Sequence, residues 1–477
     1  MRGDHMTVEE VHAVVDALPH TTYLTNISMS GNRLMMKEIR VIAETVQRNP
    51  HLTSLDLSMN PMTVEELQIV ADVLCHNTSV TDLNLYNNQI GPKGAQVVAE
   101  ILRHNTSLTR LTLEKNEIGD EGAHAVAEAL QHKTVLTTLY LSHNNIGDDG
   151  VKALANVLSH NDKLTFLDLT DNMIESHGAQ AIAVALRSNT SLNSLWLTGN
   201  QIGDEGAIFL ANALCDGTHC FPSFTNGGLR EGEVLPHNTR LGVLTLYRNQ
   251  IGPKGARAMA ETLRHNTSLI VLSLGGNPIG DEGAHAVFEA LCHNASLIIL
   301  DMNNARIGDE GIRVIDEALM HDTNLKELVM GKNMIGDKGA QLLANALQHN
   351  IGLEILDLKE NKIGDEGTQA MANAIQHNTH LHELDLYENH IGDLGARAIA
   401  EALYHNTKLS TLDLMYNSIG DQGVQKIAEA LYQNTSLVRL DLSFNRMGDQ
   451  GVQTMTDVMK HNTCLKCQIR RRPSDTF

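Results

Sequence analysis

Three residues near the C-terminus have the spacing of a metal site. His461, Cys464 and Cys467 read His-x-x-Cys-x-x-Cys, three soft ligands of the kind that hold zinc. A fourth ligand is not evident, and His461 and Leu465 are in step with a pattern that runs through the chain. The segment is therefore read as a terminal unit of that pattern, with no metal assigned. Histidine is plentiful, at 24 residues, yet more than half recur four residues before a regularly spaced leucine, as at His76, His104, His132, His265, His377 and His405. An imidazole at the C-terminal end of a helix can bond the last carbonyls, and a protonated ring suits that end of the helix dipole. Sensing of pH is the functional alternative. A recurrent Gly-Asp-Glu-Gly brings a phosphate loop to mind, but Gly-x-x-x-x-Gly-Lys-Ser/Thr is absent and Gly91-Pro92-Lys93-Gly94 reads as a turn. No serine or cysteine nucleophile motif stands outside the repeated pattern. Catalytic residues and cofactors are accordingly not assigned, and enzymatic activity is not expected.

The elements that position these residues follow from a period of 28. The frame Leu-x-x-Leu-x-Leu-x-x-Asn starts at Leu24, Leu52, Val80, Leu108, Leu136, Leu164 and Leu192, then runs from Leu241 at the same spacing to Leu465. Only the step from Leu192 to Leu241 is longer, by 21 residues. Such a period signals a stacked array in which no single unit buries its own apolar face. In the unit from Leu108 to Val135, Leu111 and Leu113 flank polar Thr112, the alternation of a half-buried strand. Asn116 has two amide donors and a carbonyl acceptor, enough to bond backbone groups of adjacent turns, and the same residue recurs as a ladder that fails at Ala305. That failure should leave buried backbone groups short of partners unless Asn303 or Asn304 serves them. Gly119 and Asp120 make a turn in which Asp120 is expected to cap the helix that follows. Ala123, Val126, Ala127 and Leu130, at i, i+3, i+4 and i+7, line one face of that helix. Strands about 4.8 Å apart backed by helices about 10 Å apart predict an α/β solenoid curved as a horseshoe, its parallel sheet on the concave face. The expected organisation is an N-terminal capping helix in 1–23, repeats in 24–214, an inserted loop in 215–236, repeats in 237–464, and a C-terminal cap with a basic tail in 465–477.

The frame, its length and the Ile-Gly-Asp-Glu-Gly-Ala turn at Ile118 to Ala123 resemble the ribonuclease-inhibitor-like class of leucine-rich repeats, over about Leu24 to Leu465. Similar units occur in the sensing arrays of NOD-like receptors, in the Ran GTPase-activating protein and in bacterial effector proteins. The resemblance implies a protein-binding array, as a bacterial effector or a sensor. A regulator of a small GTPase is the alternative, although that family carries an acidic C-terminal region and this chain ends in Arg470-Arg471-Arg472 before Pro473 and Ser474.

A net charge of −21 argues against nucleic acid and anionic membrane surfaces and favours basic partners. No run of about 18 apolar residues is present to span a bilayer, and the first residues lack the pattern of a signal peptide. A cytoplasmic monomer is expected, in the host cytosol if the chain is an effector. Cys75, Cys215, Cys220 and Cys292 are then reduced thiols. The sequons at Asn77, Asn105, Asn189 and Asn266 are then framework and not glycosylation sites.

Framework positions hardly vary, so partner recognition is sought between the strand leucines. Tyr86, Tyr140, Phe166, Trp196, Tyr247, Tyr387, Tyr416 and Phe444 stand there, half of the 16 aromatic residues (1 Trp, 8 Tyr and 7 Phe). Aromatic rings dominate interface hot spots, although strands favour them in any case. Toward the C-terminus the same wall carries Glu354, Asp357, Glu360, Glu383, Asp385, Glu388, Asp413 and Asp441 against Lys359 and Arg439, which predicts a negative field for a basic partner. Asp216 to Pro236, with Phe221 and Phe224, reads as a loop, either a plain excursion or a docking element. Asn88 to Leu108 and Asn249 to Leu269 are near copies, a sign of block duplication.

Overall fold

The computed structural model describes residues 13–14, 17–18, 23–132, 134–215, 237–321 and 324–470. Most of the expected capping helix, the insertion with Cys220, Phe221 and Phe224, and the tail beyond Arg470 lie outside the described residues. The chain divides into two compact units, Met1–Asn249 and Gln250–Phe477. The first holds strands β1 (Asn26–Ser28) to β8 (Val243–Thr245), and the second holds β9 (Val271–Ser273) to β16 (Lys466–Gln468). Within each unit every strand pairs in parallel with the next in sequence, and equivalent residues of successive repeats face each other, as Leu111 and Leu139 do. A helix follows each of β1 to β15. That on Gly119–Leu130 buries Ala123, Val126, Ala127 and Leu130, the face that the spacing predicts.

The leucines and the helix faces form the core between the two layers, and the backbone groups trapped there need polar partners. Asn116 shows how they are met. Its Nδ2 donates to the carbonyls of Leu85 at 2.8 Å and Leu113 at 2.9 Å, and its Oδ1 accepts the Asn88 N–H at 2.8 Å. Each amide thus ties its own repeat to the one before. At Ala305 the ladder amide is missing, and the Ile279 N–H turns to the Asn277 carbonyl at 2.9 Å. The equivalent N–H in the Asn144 repeat, that of Ile146, is received by the next asparagine, Asn172, at 3.0 Å.

A second asparagine ladder, at the positions expected to be framework, closes the other end of most of the described helices. Asn105 donates to Leu74 O at 2.7 Å and Asn77 O at 2.9 Å while its Oδ1 accepts the N–H groups of Ser107 and Leu108. Asn378 does the same with Leu347 and Asn350. The side chains of Asn105, Asn189 and Asn266 are buried. This corrects the role expected of histidine. His76 Nδ1 does lie 3.2 Å from the Asp72 carbonyl, but His104 and His265 instead face Glu100 and Glu261 one turn back, at 3.5 and 3.6 Å. Asparagine is shorter and lies inside the stack, so it reaches the last carbonyls without exposing them to water.

The turns obey a rule that couples one repeat to the next. Asp120 does not cap its own helix; its Oδ1 accepts the N–H groups of Gly147 at 2.7 Å and Gly150 at 3.0 Å, in the first turn of the next one. Asp148 serves Glu175 in the same way, and Asp281, Asp309, Asp337, Asp365, Asp393 and Asp421 serve Gly308, Gly336, Gly364, Gly392, Gly420 and Gly448. Where the preceding repeat has Val64, Pro92, Ser176 or Pro253 at the aspartate position, the following glycine takes a left-handed conformation: Gly91, Gly119, Gly203 and Gly280 have φ near +60°. Their N–H groups bond instead to the carbonyls of Asn116, Asn144, Asn249 and Ala305. Only glycine enters that region without steric penalty. Crowding explains the second glycine of Gly-Asp-x-Gly, because a Cβ at Gly395 would stand 2.8 Å from both Asp365 Oδ1 and Ile391 Cγ2, and one at Gly122 would stand 2.6 Å from the Ile118 side chain.

Two stability measurements check these assignments. Ala305→Asn should restore the ladder amide and raise stability by about 1 kcal/mol, and a lower denaturation midpoint would contradict it. Asp365→Ala removes the acceptor for Gly392 and Gly395 together and should cost about 1 to 3 kcal/mol. A midpoint equal to that of the unmodified chain would remove the capping role.

Candidate functional site: the open face of the sheet

Alternation along each strand turns the leucines inward and sends their neighbours to the face that no helix covers. On the first unit, Tyr140 and Phe166 lie on β5 (Thr138–Tyr140) and β6 (Phe166–Asp168), and Trp196 lies on β7 (Ser194–Trp196). Their rings meet. The Phe166 centroid is 4.9 Å from that of Tyr140, tilted by 48°, and 5.0 Å from that of Trp196, at 71°. These are favourable aromatic geometries, yet Trp196 remains 38% exposed. Tyr86 stands apart from this cluster, with Lys115 Nζ 5.5 Å from its ring centre, and Tyr247 follows β8, half-buried. The Arg110 guanidinium lies 5.5 Å from the Tyr140 centroid and donates to its hydroxyl at 2.9 Å.

Asp168 occupies the middle of this group. The pairing places it opposite Tyr140 on one side and Trp196 on the other, with Phe166 two residues earlier on its own strand. It is 4% exposed, and Oδ1 accepts the Thr170 N–H at 2.9 Å. Burial pushes its carboxyl above the usual range, against the bonds from Thr170. Nothing in the sequence marks Asp168, because aspartate between two strand leucines looks like framework.

On the second unit the acidic residues form a column. Asp357, Asp385, Asp413 and Asp441 face one another on β12 (Ile355–Asp357) to β15 (Arg439–Asp441). Beside them Tyr387 and Tyr416 meet edge to face at 5.6 Å, and Tyr416 stacks on Phe444 at 4.6 Å. The wall is less bare of cations than expected. Lys359 lies 2.7 Å from Asp357, Lys326 3.1 Å from Glu354, Lys332 3.1 Å from Glu360, and Arg439 3.8 Å from Glu383. Lys326 and Lys332 were missed because they belong to the neighbouring repeat and pair only through the stack. Asp385 is raised to about 6, first by burial and then by Asp357 and Asp413, with the Tyr387 N–H and Lys359 opposing. Burial and Glu388 push Tyr387 up to about 12. Glu383 and Glu388 border the column.

Among the described residues no group of three or more His, Cys, Asp or Glu side chains is placed to hold a metal ion. Cys464 is exposed, and burial pushes the Cys467 thiol up to about 12, which keeps it protonated. No helix among the described residues is long and apolar enough to cross a membrane.

The repeat geometry agrees with comparison to known proteins. The family model described as a leucine-rich repeat matches residues 48–65, 76–99, 104–127, 132–155, 160–183, 188–211, 265–288, 293–315, 321–344, 349–372, 377–400, 405–428 and 433–455. The chain belongs to the leucine-rich-repeat family. No curated protein matches it. Among solved structures it is similar to an internalin (inlF) from Listeria monocytogenes, at 18% identity over 96% of this chain and 93% of that one, with a TM-score of 0.41. It is also similar to a chain in the octameric complex of latrophilin 3, Unc5D and FLRT2, at 17% identity over 70% of this chain and 83% of that one, with a TM-score of 0.39. Repeats of this family typically act as interaction modules without catalysis.

The acidic column generates a pH prediction. An acid raised on folding keeps its proton in the folded chain where the unfolded chain has lost it, so its contribution to stability falls as pH rises from about 4 to 6. Asp385→Asn removes the charge and retains an acceptor for the Tyr387 N–H, as Asn84 does for the Tyr86 N–H at 3.0 Å. The variant should be more stable at pH 7 by about 1 to 2 kcal/mol after solvent screening. Its denaturation midpoint should also vary less between pH 4 and 7, and an unaltered pH profile would contradict the assignment.

Proposed function

We propose that the open face of the repeats is a protein-binding surface and that the chain is a non-enzymatic interaction module for a partner with a basic surface. The observation that carries this reading is the ring cluster of Tyr140, Phe166 and Trp196. A folded chain has no packing need for three touching aromatics on a face without a helix over it, and exposed aromatics are the residues that anchor interfaces. Tyr86 and Tyr247 extend the candidate surface of the first unit. On the second, Glu354, Asp357, Glu383, Asp385, Glu388 and Asp413 supply charge beside Tyr387 and Tyr416. One strand and one helix in each 28-residue unit support the ribonuclease-inhibitor-like class. The free thiols of Cys75 and Cys292 agree with a cytoplasmic setting.

The test begins before a partner is known. Trp196 is the sole tryptophan, and acrylamide should quench it in the free protein. With a partner captured from cytosol, Trp196→Ala should leave the unfolding midpoint near that of the wild type and weaken binding by about 2 kcal/mol or more. Binding should also weaken with added salt. A protected indole, or full affinity in the alanine variant, would overturn the reading.

A further inference from the structure

We infer that Tyr140, Phe166 and Trp196, with Asp168 between them, form a receptor for one arginine side chain of the partner. The inference rests on the open face being the binding surface and names what its first unit recognises. Three observations lead to it. The aromatic residues surround a carboxylate and do not form a plain apolar patch: Asp168 has Tyr140 and Trp196 opposite it on the neighbouring strands and Phe166 on its own. A cation is drawn both to ring faces and to a carboxylate withheld from water, and only a group that is flat, charged and rich in donors satisfies both at once. Guanidinium is that group.

The charges around the carboxylate agree. Glu114 adds negative charge, while His143 is held by Asp171 at 3.2 Å and Arg110 stands on the far ring, Tyr140. Arg110 is also an internal precedent, because its guanidinium lies against a Tyr140 ring that it bonds through the hydroxyl. Phe166 and Trp196 offer a second guanidinium the opposite side of the same cluster. Lysine would engage the rings, but its compact ammonium cannot stack on them and bond the carboxylate edge together.

The probe is a capped Gly-Arg-Gly peptide titrated into the full chain and followed by Trp196 fluorescence, with Gly-citrulline-Gly as the uncharged isostere. The arginine peptide should give a saturable change at millimolar concentration and the citrulline peptide should bind at least about tenfold more weakly. Asp168→Asn should erase that preference while the chain stays folded, since Asn84 already occupies the equivalent position and accepts the Tyr86 N–H. Equal responses to the two peptides, or an arginine preference that survives Asp168→Asn, would overturn the inference. Failure here is distinguishable from failure of the broader reading. If Trp196→Ala still weakens the captured partner while arginine is not preferred, the face binds by another chemistry.

Discussion

Every strand among the described residues is three residues long, far too short to stand alone, and the need to satisfy buried backbone carbonyls between repeats governs the rest of the structure. Helix ends and strand ends both terminate inside the stack, away from water, where an orphaned carbonyl is costly. Two asparagine ladders answer that need, one after the strand and one after the helix, and within the regular repeats an amide reaches a carbonyl 31 residues earlier. The bonds also span the one longer step, where Asn238 and Asn249 reach the equivalent carbonyls of Leu186 and Leu197, 52 residues earlier. Hydrogen bonding thus fixes where strand and helix ends sit from one repeat to the next, and the leucines fill the space that the ladders define.

Because framework residues fix the backbone, the positions between the strand leucines are released from structural duty. That freedom explains how one face can carry rings at Tyr140, Phe166 and Trp196 and another stretch can carry stacked carboxylates at Asp385 and Asp413 at a cost in local stability. A carboxylate raised to about 6 is a poor choice for stability alone. The same freedom lets Lys326 and Lys332 temper the charge from adjacent repeats.

The strands, the helix faces and the first ladder were legible in the sequence, since each rests on spacing within one repeat. What was not legible depends on contacts between repeats. Asp120 looked like the cap of its own helix because it stands at the start of that helix, whereas the stack brings the following helix within reach of its carboxylate. The histidines looked like the helix-terminal ligands because they recur there, whereas Asn105 and its equivalents lie deeper and take the carbonyls. Asp168 was invisible as a site residue, because its ring neighbours lie 28 residues away on either side and one row across.

The aspartate turns give this array a form of heredity. The backbone conformation of a glycine is decided by the residue present one repeat earlier, so Pro92 determines Gly119 and its near copy Pro253 determines Gly280. A block that was duplicated or exchanged would therefore alter its downstream neighbour as well as itself. Recombination at repeat borders would separate the residue that specifies a turn from the turn that it specifies, and the natural unit of inheritance in such an array straddles two repeats.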